Sequence, residues 1–341
     1  MAHTTIADLW TPDVWIRGAD EAARTLPSLL TSGIAIRTPT LDAIAAGPGV
    51  SAQIPYFKDI SDTAETVQVE DTAPSVNNIT GGRQVGTILN REAAFGANAL
   101  SAQVSGEDPI GGIVRQLGLN RQKRTQLTLL SALRGLFNIA GAPAAAAPLS
   151  ANRADHFAEA GASPASDKLI DSTKFNNACA LLGELQDSIR GGAIWMHPNV
   201  RAALLNQDSN SFERASEGAF MVERYKGIPV HVSLSLVRSG GTSGVVYDTY
   251  VFAPGVVGWG EKPQVGDHID VASLAFEEDK AKNRQTIYDR RRYLVHVNGT
   301  KWKGTPAGQS ATNTELATPA NWELAFQTAD RVGVLCIRTN G

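Results

Sequence analysis

The groups in this 341-residue chain that could do chemistry are six histidines, two cysteines, a run of mixed charge and a trio of arginines. A metal site, a general base or an activated nucleophile needs such groups at set spacings. His3, His156, His197, His231, His268 and His296 are scattered, with no helical pair at ligand spacing. His197 is the best single candidate for a catalytic role, because Met196-His197-Pro198 lies where a strand pattern gives way to a helix pattern. Capping or packing at that junction explains the same residue without chemistry. Cys179 and Cys336 are far apart among apolar residues, in no metal or redox spacing, and read as reduced core side chains. Neither a phosphate-binding Gly-x-x-x-x-Gly-Lys-Ser/Thr nor a Gly-x-Ser-x-Gly elbow is present, and Gly255, Gly258 and Gly260 miss the dinucleotide spacing. The run from Glu277 to Arg284 reads as a solvated or intersubunit salt-bridge strip. Strand periodicity puts Arg290 and Arg292 on one face and Arg291 on the other, where such a cluster could hold a neighbour's carboxylates in bidentate pairs. A phosphate site is the alternative. No catalytic, cofactor-binding or metal-binding residue is expected.

Composition agrees with a folded soluble protein. Hydrophobic residues make up 43% and charged residues 19%, as in ordinary globular chains. A formal charge of -3 supplies no basic footprint for sequence-specific nucleic-acid binding. The first ten residues have neither a basic start nor an apolar run, and no segment has the apolar length of a membrane span. A soluble protein of cytoplasmic origin is expected. Asn78-Ile-Thr80 and Asn298-Gly-Thr300 match glycosylation acceptors and are read as loops only.

The elements that would carry these residues point to assembly. From 1 to 50 the chain reads as an arm, with Trp10 and Trp15 as aromatic anchors and Pro12, Pro27 and Pro39 interrupting any long helix. A ribbon follows, with Glu65–Asp71 running out, Arg83–Asn90 running back and a turn-rich tip between them. Val67 and Val69 on one side, and Val85, Thr87 and Leu89 on the other, leave it a single thin apolar face. An isolated two-stranded ribbon is marginal in water and its edges invite another chain, so the surface it needs belongs to a second subunit. Asp108 and Pro109 open the longest helical pattern, apolar at Ile110, Ile113, Val114, Leu117, Leu127, Leu130, Leu133 and Phe137, with Arg115, Arg121, Lys123, Arg124 and Arg134 on the other face. Residues 141–170 read as a linker. From 171, helix and strand patterns alternate as in an α/β body: a helix through Phe175, Leu182 and Ile189, a strand Ala193–Met196, a helix Pro198–Asn206, and strands at Ile228–Leu234, Val245–Phe252 and Val256–Trp259. One long strand pair spans Ala272–Val297, a short helix is expected at Asn321–Gln327, and a strand Val332–Ile337 closes the chain.

In this order the parts resemble the major capsid proteins of tailed bacteriophages, of the Hong Kong ninety-seven type. The resemblance extends to local wording: Leu182-Gly183-Glu184, Ile194-Trp-Met-His-Pro198, Tyr250-Val-Phe-Ala-Pro-Gly-Val-Val-Gly258, Arg291-Arg-Tyr-Leu-Val-His296 with Gly299, and Ala320-Asn-Trp-Glu323. It implies an α+β capsid fold, with an N-terminal arm (1–50), an extended β-ribbon or E-loop (51–100), a P-domain spine helix (101–140), a linker (141–170), an α/β A-domain (171–265), returning P-domain strands (266–300) and a C-terminal segment (301–341). It also implies self-assembly into hexamers and pentamers of an icosahedral head around double-stranded DNA, by the head-to-tail contacts that close rings. The partners implied are copies of itself, a separate scaffolding protein, a portal and a decoration protein, with no membrane. The location implied is the virion, assembled in the host bacterial cytoplasm. The residues placed at intersubunit contacts are Trp10, Trp15, Val67, Val69, Glu70, Asp71, Arg83, Val85, Glu277, Glu278, Arg290 and Arg292. The ribbon tip has no lysine, so the covalent crosslink of some members is not expected. An encapsulin-like shell is the alternative, and a hydrolase built on His197, for which no nucleophile is visible, ranks last.

Overall fold

The computed structural model describes residues 34–60, 64–65, 67–68, 70, 73, 76–100, 108–139, 147–158, 166–217, 220–238, 244–266 and 270–341. Its axis is the helix α2, Pro109–Leu136, and local chemistry sets both ends. The Asp108 carboxylate accepts from the Ile110 amide at 3.1 Å, and proline occupies the first helical position, where no amide is needed. At the other end Arg153 donates to the carbonyls of Phe137 and Asn138 at 2.9 and 2.6 Å. That places a cation on the negative end of the helix dipole. The sequence gives α2 one polar face throughout, but its last three turns are buried nearly all round, including Thr125, Gln126 and Thr128. Arg134, read as solvent-facing, donates to the carbonyls of Ser235 and Val237 at 3.4 and 3.1 Å.

The first sheet grips α2 on one side. Its central strands are β3 (Gly81–Asn98) and β14 (Arg284–Val297), antiparallel from Ile88↔Leu294 to Asn98↔Arg284. Beyond that overlap β3 pairs with β2 (Ser51–Phe57), from Ser51↔Thr87 to Phe57↔Gly81. The N-terminal half of β14 pairs with β13 (Ser273–Asp279), as the long strand pair predicts, and its C-terminal half with β11 (Val257–Glu261). β1 (Ala35–Arg37) extends the sheet beside β11, and β15 (Thr300–Trp302) and β16 (Trp322–Leu324) extend it beside β3.

The second sheet runs β4–β17–β10–β5–β8–β7–β6. Its strands are β4 (Arg153–His156), β17 (Val334–Thr339), β10 (Val246–Phe252), β5 (Ala193–Met196), β8 (Ile228–Val232), β7 (Phe220–Tyr225) and β6 (Phe212–Glu217). β10, β5 and β17 are buried at every position, because both faces of the sheet are covered. Period-two alternation splits their side chains between two cores. Trp195, Tyr250, Phe252, Val334 and Cys336 face the core around α2. Ile194, Met196, Val251, Leu335 and Ile337 face a second core under the helices α3 (Ser172–Ala180) and α4 (Pro198–Gln207).

Four local expectations change. The strand that pairs with the returning ribbon strand is Ser51–Phe57, whose residues match β3 in register next to the body; the described residues of Glu65–Asp71 form no strand, and Thr66, Val69 and Asp71 lie outside the described residues. Asn321–Gln327 contains the strand Trp322–Leu324, since the indole of Trp322 is held edge-on to Trp302 across the pair. The stretch read as linker contains β4, which aligns Cys336↔Arg153 through Thr339↔His156 in parallel. The helix expected through Ile189 breaks at Gly183, whose φ of 52° turns the chain into a 3-10 run, Gly183–Gly191. Leu182 and Ile189 nonetheless reach the same core as Phe175.

Candidate assembly surfaces

The ribbon leaves the body at a well-made joint. The Tyr56 hydroxyl donates to the Ala325 carbonyl, and the ring packs edge-on to Phe326 at 5.4 Å. Three residues further, Arg331 pairs with Asp59 at 2.6 Å. The hairpin extends through Lys58, whose amide donates to Thr80 at 2.9 Å. Every described residue from Phe57 to Gly81 is exposed. Large apolar side chains stand among them: Val67 is 89% exposed, Val76 87%, Phe57 76%, Ile60 60% and Ile79 56%. A chain with two filled cores has no reason to leave five such residues on one excursion unless something else covers them.

At the far end of the first sheet β3, β14 and β13 run past the body. One face lies on α2: Asp289 takes a bidentate pair from Arg121 (3.0 and 2.7 Å), and Arg291 donates to the Arg121 carbonyl at 3.0 Å and to Thr125 at 3.2 Å. On the other face Arg290 pairs with Glu92 at 3.2 Å and lies over Tyr288, whose hydroxyl donates to Glu277 at 2.7 Å. Phe276 is 53% exposed on this tip.

The residues expected at contacts fall in several places. Trp10, Trp15, Val69 and Asp71 lie outside the described residues. Val67 and Glu70 are exposed on the ribbon, and Arg83, at its base, reaches Gln53 at 3.5 Å. Val85 is half-buried against the main core. Glu277 and Glu278 are exposed at the sheet tip, where Glu278 accepts from Gln285 at 3.3 Å. Arg290 is half-exposed beside Glu92. Arg292 is buried within its own chain. It donates to the carbonyls of Ala45, Gly47 and Gly49 at 2.9, 2.6 and 2.7 Å and to Asn90 at 3.0 Å, so it fastens the loop after α1 (Pro39–Ala46) to β14. Expected together, Arg290 and Arg292 thus do different work. Sequence reasoning passed over Phe57, Ile60, Val76 and Ile79; an apolar residue every few positions in a segment otherwise made of acids and turn formers was the available signal.

The groups with chemical potential are enclosed. His197 caps α4, its Nδ1 accepting from the Asn199 amide at 3.2 Å, and its ring stacks on Tyr247 at 4.4 Å. Burial lowers its pKa, and that amide contact is its hydrogen bond among the described residues. His296 is buried beside Gln84 at 2.9 Å, and burial pulls it down to about 4. Burial pushes the Cys179 thiol up to about 11 and raises Cys336 well above the ordinary value, as unreactive core thiols require. Among the described residues no cluster of acidic, histidine and cysteine side chains could hold a metal, and no helix is long and apolar enough to cross a membrane.

No family model matches the sequence. The capsid of Ralstonia phage GP4 superposes with a TM-score of 0.62 at 12% identity, over 97% of this chain and 96% of that one. The chain has the tailed-phage major capsid fold. An encapsulin from Synechococcus elongatus has the same capsid fold, at TM-score 0.52 and 13% identity over 95% of this chain and 96% of its own. In sequence, the capsid-fold chain is 25% identical over 334 residues to the major capsid protein of Bacillus phage SPP1, covering 96% of this chain and 95% of that relative.

Proposed function

We propose that this chain is the major capsid protein of a tailed bacteriophage, a subunit that closes with its copies into the hexamers and pentamers of an icosahedral head. The observation that carries the reading is the excursion from Phe57 to Gly81, exposed at every described residue and rich in apolar side chains, on a body whose two cores are already full. A full-length likeness to a phage major capsid protein supports the same reading. In it, residues 51–100 serve as the E-loop clamp and 101–140 with 266–300 as the P-domain. Residues 171–265 serve as the A-domain at the capsomer centre, and 1–50 as an arm docking on a neighbour. In this reading the chain is structural and does no catalysis, with His197 serving as a helix cap and His296, Cys179 and Cys336 as core. Double-stranded DNA is the content, the virion the location and the host cytoplasm the place of assembly. A scaffolding protein, a portal and a decoration protein complete the partners.

Electron microscopy of the purified recombinant protein, with size-exclusion chromatography beside it, tests the proposal. Closed shells, rings of five or six, or tubes are expected. A monodisperse monomer or dimer, even with the scaffolding protein co-expressed, overturns it. The encapsulin likeness motivates the second reading, and the content of shells purified from the native source separates the two: nucleic acid for a phage head, a packaged protein for a compartment.

A further inference from the structure

The ribbon is acidic as well as apolar. From Asp59 to Gly82 the sequence has Asp59, Asp62, Glu65, Glu70 and Asp71 and no lysine, arginine or histidine. Asp59 is matched by Arg331 of its own chain, whereas Glu65 and Glu70 stand exposed with no ion pair among the described residues. The body has a cleft of the opposite sign where α2 crosses β3 and β14, lined by Arg91, Arg121, Arg124, Arg291, Glu92 and Asp289 with Asn120 and Asn313. Most of these charges cancel: Arg121 with Asp289, Arg291 with Glu261, and Glu92 with Arg290 outside the cleft. Two guanidiniums remain. Among the described residues Arg91 forms no ion pair: it donates to the neutral oxygens of Ala311 at 2.6 Å and Asn313 at 3.1 Å, with Glu315 near enough to feel its charge. Arg124 is exposed, and while its carbonyl accepts from the Thr128 hydroxyl at 3.0 Å, its guanidinium makes no hydrogen bond or ion pair among the described residues.

We propose that Arg124 and Arg91 form the docking site for ribbon carboxylates, Glu65 and Glu70, of a second copy of this chain. The inference rests on the shell reading and adds to it the chemistry of one contact. A guanidinium with open donors in a concave cleft suits a carboxylate, which it binds through two parallel hydrogen bonds. The same chain supplies the complementary acids on a segment that finds no surface of its own. An electrostatic contact of this kind fixes register and rejects wrong partners more than it adds raw affinity. That suits a subunit meeting many identical neighbours. Nucleic-acid phosphate is the competing ligand for such a cleft, and the acidic ribbon favours the protein carboxylate.

The test is charge exchange on the full chain, with shell formation followed by light scattering and electron microscopy, and folding by circular dichroism. Arg124→Glu breaks no bond within the subunit. Glu65→Lys with Glu70→Lys changes only exposed positions. Each variant is expected to fold and to raise the concentration needed for assembly at least about tenfold, through like-charge contact. Combining the two sets should restore assembly to within about threefold of the parent, and added salt should weaken the parent's assembly. The proposal falls if both variants assemble like the parent, if the combination is no better than either alone, or if Arg124→Glu lowers bound nucleic acid and leaves assembly unchanged. In each of those outcomes the shell reading survives. A parent chain that forms no assembly even with the scaffolding protein co-expressed overturns both.

Discussion

Two glycines of α2 invite the same substitution and should answer with opposite sign. Alanine in place of a helix-interior glycine ordinarily stabilises by about 0.5–1 kcal/mol, because the unfolded chain loses freedom and the helix loses none. At Gly118 a new methyl would meet nothing within 4 Å, so Gly118→Ala should gain that full amount. At Gly135 the methyl would lie 2.2 Å from the Leu316 carbonyl oxygen and 2.7 Å from the Trp322 indole nitrogen. Those two atoms are hydrogen-bonded to each other at 2.7 Å, and the bond ties α5 (Asn313–Leu316) to β16 over the last turn of the helix. Neither can retreat without breaking it. Overpacking costs roughly 1–3 kcal/mol and the loosened buried bond about 1 kcal/mol, against a propensity gain of up to about 1 kcal/mol. Gly135→Ala should therefore lose about 2 kcal/mol, leaving the variants about 3 kcal/mol apart. Urea denaturation of the unassembled subunit, followed by circular dichroism, measures both as midpoint shifts at constant slope. If Gly135→Ala matches or exceeds the parent, the packing of residues 313–324 on the spine helix is wrong. If Gly118→Ala is destabilising, its face of the helix is covered within the subunit.

His296 makes stability depend on acid. Its folded pKa, about 4, lies below the ordinary 6.5, so its contribution is fully present above pH 6.5 and is lost as pH falls toward 4. Between pH 7 and 4.5 the parent should lose roughly 2–3 kcal/mol more than His296→Gln in paired urea titrations; equal losses refute a neutral, buried imidazole. Asp248→Ala should cost about 3 kcal/mol, because Arg338, fully buried opposite it, would keep only the Asp155 carboxylate at 3.4 Å, which Arg153 also holds. Pairing Asp248→Leu with Arg338→Met should recover most of that in thermal melts, and failure to recover would mean that the pair does more than neutralise itself. Replacing residues 64–79 with a short Gly-Ser turn should preserve the circular dichroism spectrum and abolish closed shells, whereas normal shells under the microscope would remove the ribbon from the assembly contact.

What could be read in the sequence follows from which signals are local. Asp108-Pro109 announces the start of α2 within two residues, and His197-Pro198 does the same for α4. The pair β13–β14 shows itself because both strands are long and adjacent in the chain. Less legible was anything set by distant partners. β2 is seven residues containing a proline, and only its register against β3 makes it a strand. Trp322 looks helical among Asn, Glu, Leu and Ala until β15 fixes it as extended. Arg292 and Arg290 look equivalent by spacing. The loop at 45–49, some 245 positions away in the chain, buries one of them and leaves the other outside. The arginine cleft is assembled from four separate stretches, so no window of sequence could display it.

β3 serves two structures without interruption. Its first seven residues belong to the ribbon and its last eleven to the central sheet, and its 18 residues span about 60 Å. No hinge separates the halves. The strand therefore works as a lever: a tilt applied to the ribbon base by whatever lies beneath it reaches β14 as shear along a hydrogen-bonded register. β14 hands that shear to α2 through Arg121 and Asp289. A subunit built this way feels the slope of its neighbour as strain in its own backbone, and in a curved lattice that strain is a mechanical measure of local curvature.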